Sequence, residues 1–244
     1  MVGIATGIIR TVFRDYGFRL DRTDVGLRRR RGLVTRTDVT LPASRAQAVI
    51  VATGPVRDRF GWRQLRMQSL ARDEGGSGDH VLAPLASDRE INVILAELGW
   101  RPLGGPIEWR GISPAYVSTF ALALSPLFLA MIFQAAFVWP LAVAYGLGLA
   151  VLIGLRWLAW CRTAYALDGD RVVIRTGWWR RRVTVLPTAK IQSIDIAENF
   201  ISRRFGIATL RFGMAGGGTG GHSIPAIPST TARKLRDDLL GLRP

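Results

Sequence analysis

A long uncharged stretch dominates the pattern of apolar and polar positions along the chain. Residues 111–155 contain no Asp, Glu, Lys or Arg, and one membrane-spanning helix requires only about 20 apolar residues. The stretch is therefore long enough for two helices, with Trp139–Pro140 marking a turn near its midpoint. The pattern predicts a two-helix transmembrane hairpin over residues 113–160, with helices at Tyr116–Phe133 and Leu141–Trp160.

The residues at the ends of this hairpin favour a membrane and set its orientation. Trp and Tyr rings prefer the headgroup layer, and Lys and Arg collect on cytoplasmic flanks. The aromatic residues at these ends are Trp109, Tyr116, Trp139, Trp157 and Trp160. The charged flanks are Arg101, Arg110, Arg156 and Arg162. Because the turn carries no charge, both ends are predicted to face the cytoplasm. A buried helical pair inside a soluble protein is the alternative.

Small residues recur along the second helix, at Ala142, Gly146, Ala150 and Gly154. A stripe of small residues permits close approach of another helix. We expect the first helix of the hairpin to pack against this stripe through Ala115, Thr119 and Ala123.

The two flanks of the hairpin repeat one another at an offset of 145 residues. The aligned pairs include Gly32 with Gly177, Leu41–Pro42 with Leu186–Pro187, Gln47 with Gln192, and Arg59–Gly61 with Arg204–Gly206. Upstream, a slip of two residues aligns Phe18–Asp21 with Tyr165–Asp168. Downstream, a small deletion aligns His80 with His222. Such a register indicates two copies of one domain.

Domain boundaries follow from the repeat. We expect a first domain at residues 16–100, a linker at 101–112 and a second domain at 163–241. Residues 1–15 are apolar along one helical face but too short to span a bilayer. They are expected to form either an interfacial helix or the last turns of a spanning helix whose beginning is missing from this chain.

Each copy reads mainly as short strands followed by one helix. In the second copy, strand-forming residues and turn signals predict strands at Ala164–Leu167, Arg171–Arg175, Arg182–Leu186, Ile191–Ile196 and Leu210–Phe212. A helix capped by Ser229 is predicted over Thr230–Leu240, and the first copy ends in a helix at Ser87–Leu98. The pattern is typical of a small bent sheet or barrel closed by a helix.

Composition adds a strong positive charge. The chain has 33 basic and 18 acidic residues, a net charge of +15, and all the basic residues except Lys190 and Lys234 are arginine. Nucleic acid, an anionic membrane or an arginine-biased genome would each account for this charge. The hairpin favours the membrane, since each basic residue near an anionic leaflet gains about 1 kcal/mol. The lone Cys161 excludes an internal disulfide and a cysteine metal cluster.

Two motifs carry a resemblance to a known family. They are Leu186-Pro187-Thr188-Ala189-Lys190-Ile191-Gln192 and Arg204-Phe205-Gly206-Ile207-Ala208-Thr209-Leu210. With their counterparts in the first copy, they resemble the bacterial pleckstrin-homology-like family (bPH2, formerly DUF304) and its YdbT-type multi-pass membrane proteins. The resemblance implies a membrane α+β fold. It further implies that two small PH-like β-rolls, each with a C-terminal helix, are separated by a transmembrane helical hairpin. Members usually carry a further helix pair before the first copy, and the family supplies no catalytic residues.

Arginine clusters beside the two glycine turns are the candidate binding residues. Arginine forks match phosphate geometry, although alternate residues of a strand face opposite sides, so at most half of each run serves one ligand. The predicted lipid-headgroup contacts are Arg28, Arg30, Arg175, Trp178, Trp179, Arg180, Arg181 and Arg182. The alternative is a solvated cytoplasmic face with one of the two tryptophans in the core.

Other candidate chemistry is weak. Gly216–Gly221 lacks the Lys and Ser/Thr of a phosphate-binding P-loop and reads as a flexible loop. His80 and His222 read as loop residues, because neither has further ligands at metal spacing. No nucleophile or acid–base arrangement stands out. We therefore expect no enzymatic activity, no cofactor and no metal.

Together these features predict a multi-pass protein of the bacterial plasma (inner) membrane with both PH-like domains in the cytoplasm. We expect a scaffold for a protein partner or anionic lipid that acts in cell-envelope maintenance. A homo-oligomer is a further alternative, because exposed sheet edges invite pairing. One alternative is a subunit of a small membrane transporter or export assembly, although polar residues in the hairpin are few. A nucleic-acid partner is not expected; a soluble nucleic-acid binder should show basic and aromatic residues interleaved on one surface and should leave the membrane in high salt.

Overall fold

The computed structural model describes residue 6 and residues 12–69, 79–135, 139–215 and 222–241. The chain divides into two compact units. Unit 1 is Met1–Ile107 with Met214–Gly220, and unit 2 is Glu108–Gly213 with Gly221–Pro244. The predicted Gly216–Gly221 loop and the middle of the hairpin turn lie outside the described residues. Within residues 1–15, the described positions are helical.

Unit 1 contains two antiparallel meanders and a closing helix. The strands are β1 (Arg19–Thr23), β2 (Gly26–Arg31) and β3 (Thr37–Pro42), then β4 (Ala46–Thr53), β5 (Arg63–Ser69) and β6 (Asp79–Ala86). Helix α1 (Pro55–Arg59) joins β4 to β5, and helix α2 (Asp88–Glu97) follows β6. Ser87 and Glu90 form a reciprocal capping box that fixes where α2 begins. These hydrogen bonds hold the pKa of Glu90 below its ordinary value.

Unit 2 repeats this plan and also carries the two long helices. Strand β7 (Arg110–Gly111) leads into helices α3 (Ala115–Ala135) and α4 (Trp139–Arg162). The following elements are β8 (Ala164–Asp168), β9 (Arg171–Thr176), β10 (Arg181–Pro187), β11 (Ile191–Ala197), α5 (Phe200–Arg204), β12 (Ile207–Met214), β13 (His222–Pro228) and α6 (Ser229–Gly241). Strands β7 to β10 are antiparallel neighbours in chain order, and β11 to β13 form a second sheet. Helix α6 buries Ala232, Leu235 and Leu239, one apolar stripe.

Most of the predicted elements are confirmed. The five strands predicted for the second copy correspond to β8 to β12, while β13 and the short helices α1 and α5 were not predicted. The C-terminal helix begins one residue earlier than predicted, at Ser229. The hydroxyl of Ser229 donates to Glu198 Oε1 at 2.7 Å. As the first residue of α6, Ser229 lies inside the helix instead of ahead of it.

The internal repeat is visible in the strand pairing and keeps its offset of 145 residues from β1 to the end of β5, after which the predicted deletion reduces it to 142 residues at the ends of β6 and β13. The offset superposes the bounds of β1 on β8, of β2 on β9 and of α1 on α5. Arg19 pairs with Arg30 across β1 and β2, and Ala164 pairs with Arg175 across β8 and β9. The predicted slip of two residues at the first strand is therefore wrong, because equivalent positions stay in register without it.

Both copies require glycine at the same tight turn. Gly32 has φ +111° and Gly177 has φ +97°, a region that side chains disfavour. A Cβ at Gly32 would lie 2.0 Å from the Thr35 carbonyl oxygen. A Cβ at Gly177 would lie 1.9 Å from the Arg180 carbonyl oxygen. Only glycine permits this close return of the backbone.

Helices α3 and α4 are long and apolar, and they stay exposed along most of their length. At 1.5 Å per residue, their 21 and 24 residues extend about 31 and 36 Å, enough to cross a hydrocarbon core of about 30 Å. The exposed side chains include Leu129, Phe133 and Leu147, each more than 60% accessible. The alternative of a buried helical pair does not fit this exposure.

A proline interrupts the hydrogen-bond ladder of α3. Pro126 has no amide hydrogen to donate to the carbonyl of Leu122, one turn earlier. The hydroxyl of Ser125 donates to that carbonyl at 2.7 Å instead. The Leu122 carbonyl group thus keeps a hydrogen-bond donor within α3.

The predicted packing of α3 against the small-residue stripe of α4 is wrong. A Cβ at Gly146 or at Gly154 would meet no atom within 4 Å. Helix α4 instead turns Tyr145, Leu149 and Leu152 toward a groove that it shares with α3. These larger side chains line the groove, whereas Gly146 and Gly154 of the stripe do not.

A buried arginine distinguishes the core of unit 1 from that of unit 2. Arg29 on β2 is fully buried, and its Nη1 donates to the Val81 carbonyl oxygen at 3.1 Å. The equivalent position on β9 is Ile174, which is also buried. Alternate strand residues face opposite sides, so Arg28 and Arg30 point away from this core.

We expect Arg29→Ile to stabilise unit 1, because a buried charge is costly and Ile fills the equivalent position in unit 2. The expected gain is about 1 kcal/mol or more in the free energy of unfolding, measured by denaturant unfolding of the full chain in detergent. The matched control Ile174→Arg buries a charge without a designed partner and should cost about 3 kcal/mol or more. A loss of stability in Arg29→Ile would contradict the interpretation that the buried charge is costly. It would show instead that the hydrogen bond from Arg29 to Val81 stabilises the domain.

Candidate functional site

The two arginines predicted as headgroup contacts in unit 1 lie on one face of β2 and are paired with carboxylates. Arg28 contacts Asp38 on β3 at 2.5 Å (Nη2 to Oδ2). Arg30 lies 3.4 Å from Asp21 and 3.7 Å from Asp38. The hydrogen bond from Arg28 holds the pKa of Asp38 below its ordinary value, so the pair is charged at neutral pH. An anion that binds here must compete with these carboxylates.

The remaining predicted contacts cluster at the turn between β9 and β10, which we call the arginine turn (residues 175–182). Its tip carries Trp178 and Trp179, whose ring centroids are 5.7 Å apart. Trp178 is 37% and Trp179 is 59% exposed, so the alternative with one of them in the core is wrong. Arg180, Arg181 and Arg182 follow and are all exposed. The turn therefore presents two indole rings and several guanidinium groups together.

Two contacts tie the arginine turn to the domain ends of the long helices. Arg162, the last residue of α4, donates from Nη1 to the Trp178 carbonyl oxygen at 2.7 Å. The guanidinium of Arg175 lies 4.7 Å from the centre of the Trp109 ring, a cation–π distance. Trp109 immediately precedes β7 and α3. The turn is thus held at the level where both helices enter the domain.

The two helices are joined to the domain by a structure that we call the hairpin base (residues 109–113 and 160–165). Strand β7, ahead of α3, pairs with β8, behind α4, through Arg110 with Tyr165 and Gly111 with Ala164. Trp160 donates from Nε1 to the Ile112 carbonyl oxygen at 3.0 Å. Burial raises the pKa of the Tyr165 hydroxyl above its ordinary value. The start of α3 and the end of α4 are therefore fixed side by side.

A further contact attaches the hairpin base to β13. The amide of Ser113 donates to the Ala226 carbonyl oxygen at 2.9 Å. Ala226 is buried and has φ +47°, which is uncommon for a residue with a side chain. Among the described residues it is the only non-glycine with positive φ. Such strain persists where surrounding structure holds it, here at the contact between domain and helix.

Sequence reasoning missed several residues of this region. Trp160 was assigned to the headgroup layer, but its indole is part of the hairpin base. Arg156 was counted only as a charged flank, but its guanidinium lies 3.4 Å from the centre of the Tyr116 ring. The sequence does contain an indication of the role of Arg156. It is the first charged residue after the uncharged stretch and lies several residues before the end of α4.

The two histidines are not loop residues, which corrects that expectation. His80 is buried on β6 of unit 1, and His222 opens β13 of unit 2. Among the described residues, no group of three or more His, Cys, Asp or Glu is placed to hold a metal ion. In the strand ladders His80 lies opposite Met67, and His222 lies opposite Phe212.

Comparison with known proteins identifies both copies of the repeat. A family model described as bacterial PH domain matches residues 1–99 and, a second time, residues 115–243. The second match includes the two long helices as well as β8 to α6. No curated protein and no solved structure matches the chain.

The hairpin base generates a testable prediction at Trp160. Trp160→Phe removes the hydrogen bond to Ile112 but keeps an aromatic ring, and should cost about 1 kcal/mol. Trp160→Ala also removes buried surface and should cost about 3 kcal/mol. Both are measured as changes in the unfolding free energy of the full chain in detergent. Trp157→Ala is the matched control, since Trp157 is exposed and should change little. Equal effects of the two alanine variants would contradict the assignment.

Proposed function

Because the chain belongs to the bacterial PH domain family, an interaction-type family, we propose that it is a non-enzymatic scaffold of the bacterial plasma membrane. Helices α3 and α4 cross the bilayer as a hairpin over residues 113–160. PH-like domains at residues 16–100 and 163–241 lie in the cytoplasm. The second domain rests on the inner leaflet and contacts anionic lipid.

The exposure of α3 and α4 supports the membrane part of the proposal. Monomeric soluble proteins rarely expose continuous apolar patches larger than a few hundred Å². Here two helices of 21 and 24 residues expose apolar side chains along most of their length. A bilayer covers such a surface at no cost, because its interior is as apolar as the side chains.

The distribution of arginine supports a cytoplasmic location for both ends of the hairpin. Arg110 lies just before α3, and Arg156 and Arg162 lie in the last two turns of α4. The described residues at the opposite ends, Gln134 and Trp139 among them, carry no charge. Since cytoplasmic flanks collect Lys and Arg, the turn between the helices is the translocated part.

The arginine turn is the single observation that carries the lipid-binding part. Its two exposed tryptophans are anchored by Arg162 to the end of a membrane helix, so the rings reach the headgroup layer, which Trp prefers. Arg180 and Arg182 have no partner among the described residues and are free for phosphate groups. Each basic residue near an anionic surface contributes about 1 kcal/mol. We retain Arg28 and Arg30 as weaker contacts, because Asp21 and Asp38 compete for them.

A second candidate function, binding of a protein partner, is favoured by a feature of unit 1. Phe60 and Trp62 stack with ring centroids 5.2 Å apart, and both are exposed. Val56 on the adjacent helix α1 is exposed as well. Aromatic residues are enriched at protein interfaces, so this aromatic pair is a docking point for a partner protein or a second copy of the chain.

The proposed topology predicts which cysteines react with a membrane-impermeant maleimide on intact spheroplasts. In a Cys161→Ser chain, Trp139→Cys should be labelled from outside, because Trp139 begins α4 at the translocated turn. The native Cys161, which is exposed near the domain end of α4, should be labelled only after lysis. Labelling of both positions only after lysis would place the turn inside the cell and refute the topology.

The proposed lipid contact predicts slower amide hydrogen exchange of the arginine turn in anionic than in zwitterionic nanodiscs. In Arg180→Ala/Arg182→Ala the interaction should weaken by about 2 kcal/mol, so most of the difference between the two lipids should disappear. Arg233→Ala/Lys234→Ala removes the same charge from exposed positions of α6 and should keep the difference. Identical exchange in both lipids for the unsubstituted chain would eliminate lipid contact by this turn.

A further inference from the structure

A single arginine lies within the apolar part of the helix pair. Arg156 precedes the end of α4 by six residues, which corresponds to about 9 Å along the helix. Its guanidinium lies 3.4 Å from the centre of the Tyr116 ring and 5.0 Å from that of Phe120. Its Nε also donates a long hydrogen bond of 3.4 Å to the Tyr116 carbonyl oxygen. In the described part of the chain, no carboxylate pairs with it.

An arginine in this position requires an anionic partner. The guanidinium carries five N–H donors and stays charged. Its contacts with Tyr116 and Phe120 use the faces of two rings and one carbonyl group, which leaves most donors available. A charged side chain within a membrane segment is costly, and such residues are rare unless they serve a function.

The guanidinium lines a cavity between the helices and the second domain. The cavity has a volume of about 250 Å³ and lies within unit 2. Its lining combines apolar and polar groups: Thr119, Phe120, Arg156, Ser202, Thr209 and Ala226. It is therefore shaped by α3, α4, α5, β12 and β13 together, next to the hairpin base. This mixed lining suits a polar headgroup better than a hydrocarbon chain.

A second cavity continues along the same faces of the two helices. This groove of about 360 Å³ is lined almost entirely by apolar side chains. On α3 it begins with Leu124, one turn after Phe120, and on α4 with Leu152, one turn before Arg156. It extends to Ala144, about 18 Å from Arg156 along α4. That length is close to the thickness of one leaflet, about 15 Å.

We propose that one anionic phospholipid occupies this site, with its phosphate on Arg156 and an acyl chain in the groove between α3 and α4. The inference rests on the proposed membrane location of the helices and goes beyond surface contact by the arginine turn. The lipid completes the coordination of a guanidinium that the described residues leave without a carboxylate. It also covers apolar surface between the two helices.

Nearby charge favours a headgroup with a net negative charge. Arg203 and Arg204 are exposed on α5, the same short helix that contributes Ser202 to the cavity. Neither has an acidic partner among the described residues. The headgroup of phosphatidylcholine would bring its own cation toward these arginines, whereas that of phosphatidylglycerol carries no cation. Charge complementarity thus selects the lipid class as well as its orientation.

A second copy of the chain fits the same groove less well. A helix from another copy would cover the apolar side chains of the groove, but the uncharged stretch at residues 111–155 has no carboxylate to offer Arg156. A phospholipid offers both a phosphate for the Arg156 guanidinium and an acyl chain for the apolar groove. We therefore assign the groove to lipid.

Native mass spectrometry of the detergent-solubilised full chain tests this site with two added probes, phosphatidylglycerol and phosphatidylcholine. The unsubstituted chain should retain one phosphatidylglycerol and bind it at least tenfold more tightly than phosphatidylcholine. Arg156→Gln should weaken phosphatidylglycerol about tenfold or more, since it removes a charge-assisted hydrogen bond. Arg233→Gln, at an exposed position of α6, is the matched control and should leave this tight site unchanged.

A second variant tests the groove without altering charge. A Cβ at Gly148 meets no atom within 4 Å, so Gly148→Leu should fold while filling the groove, and should also weaken binding about tenfold. Equal phosphatidylglycerol binding by the unsubstituted chain and Arg156→Gln would overturn the proposal. A dimer in place of a lipid adduct, lost in Gly148→Leu, would show a second copy in the groove and overturn it equally. Both outcomes leave the membrane location intact, which carbonate extraction reports separately.

Discussion

The pairing of β7 with β8 is the constraint on which the structure of unit 2 depends. These strands stand immediately before α3 and immediately after α4, so their hydrogen bonds hold the two helix ends together. The Trp160 indole and the Ser113 amide extend this connection to Ile112 and Ala226. A PH-like domain attached at both helix ends has little freedom to tilt relative to the helix pair. The position of the arginine turn and the shape of the cavity around Arg156 both follow from this attachment.

The two copies of the repeat differ in where their arginine residues lie and in what these residues contact. In unit 1, Arg28 and Arg30 are paired with Asp21 and Asp38 on one face of β2, and Arg29 is buried on the other face. In unit 2 the core position holds Ile174, and the arginines collect at the exposed turn instead. The turn geometry is unchanged, because Gly32 and Gly177 make the same close return. In the first copy Arg28 and Arg30 of β2 are therefore paired with carboxylates of the same domain, whereas in the second copy the arginines are exposed at the turn.

Sequence reasoning reached the elements because their signals are local. The uncharged stretch, the strand patterns of the second copy and the glycine turns each depend on a few neighbouring residues. It failed where the outcome depends on packing between distant segments. The small-residue stripe predicted a helix contact, but Tyr145, Leu149 and Leu152 decide which face of α4 meets the groove. Burial of Arg29 and His80 likewise follows from the face of the strand that meets the core. Residues from five elements line the cavity at Arg156, so no single sequence motif predicts it.

The most direct test of this account is the depth of α4 in a bilayer. A nitroxide attached at Val151→Cys in a Cys161→Ser chain would lie near the middle of this helix, on an exposed position. Its collision rates with oxygen, which concentrates in the hydrocarbon core, and with a water-soluble nickel chelate report that depth in reconstituted vesicles. We predict frequent collisions with oxygen and few with nickel. Frequent collisions with nickel, as for a helix in water, would contradict the claim that the hairpin crosses the membrane.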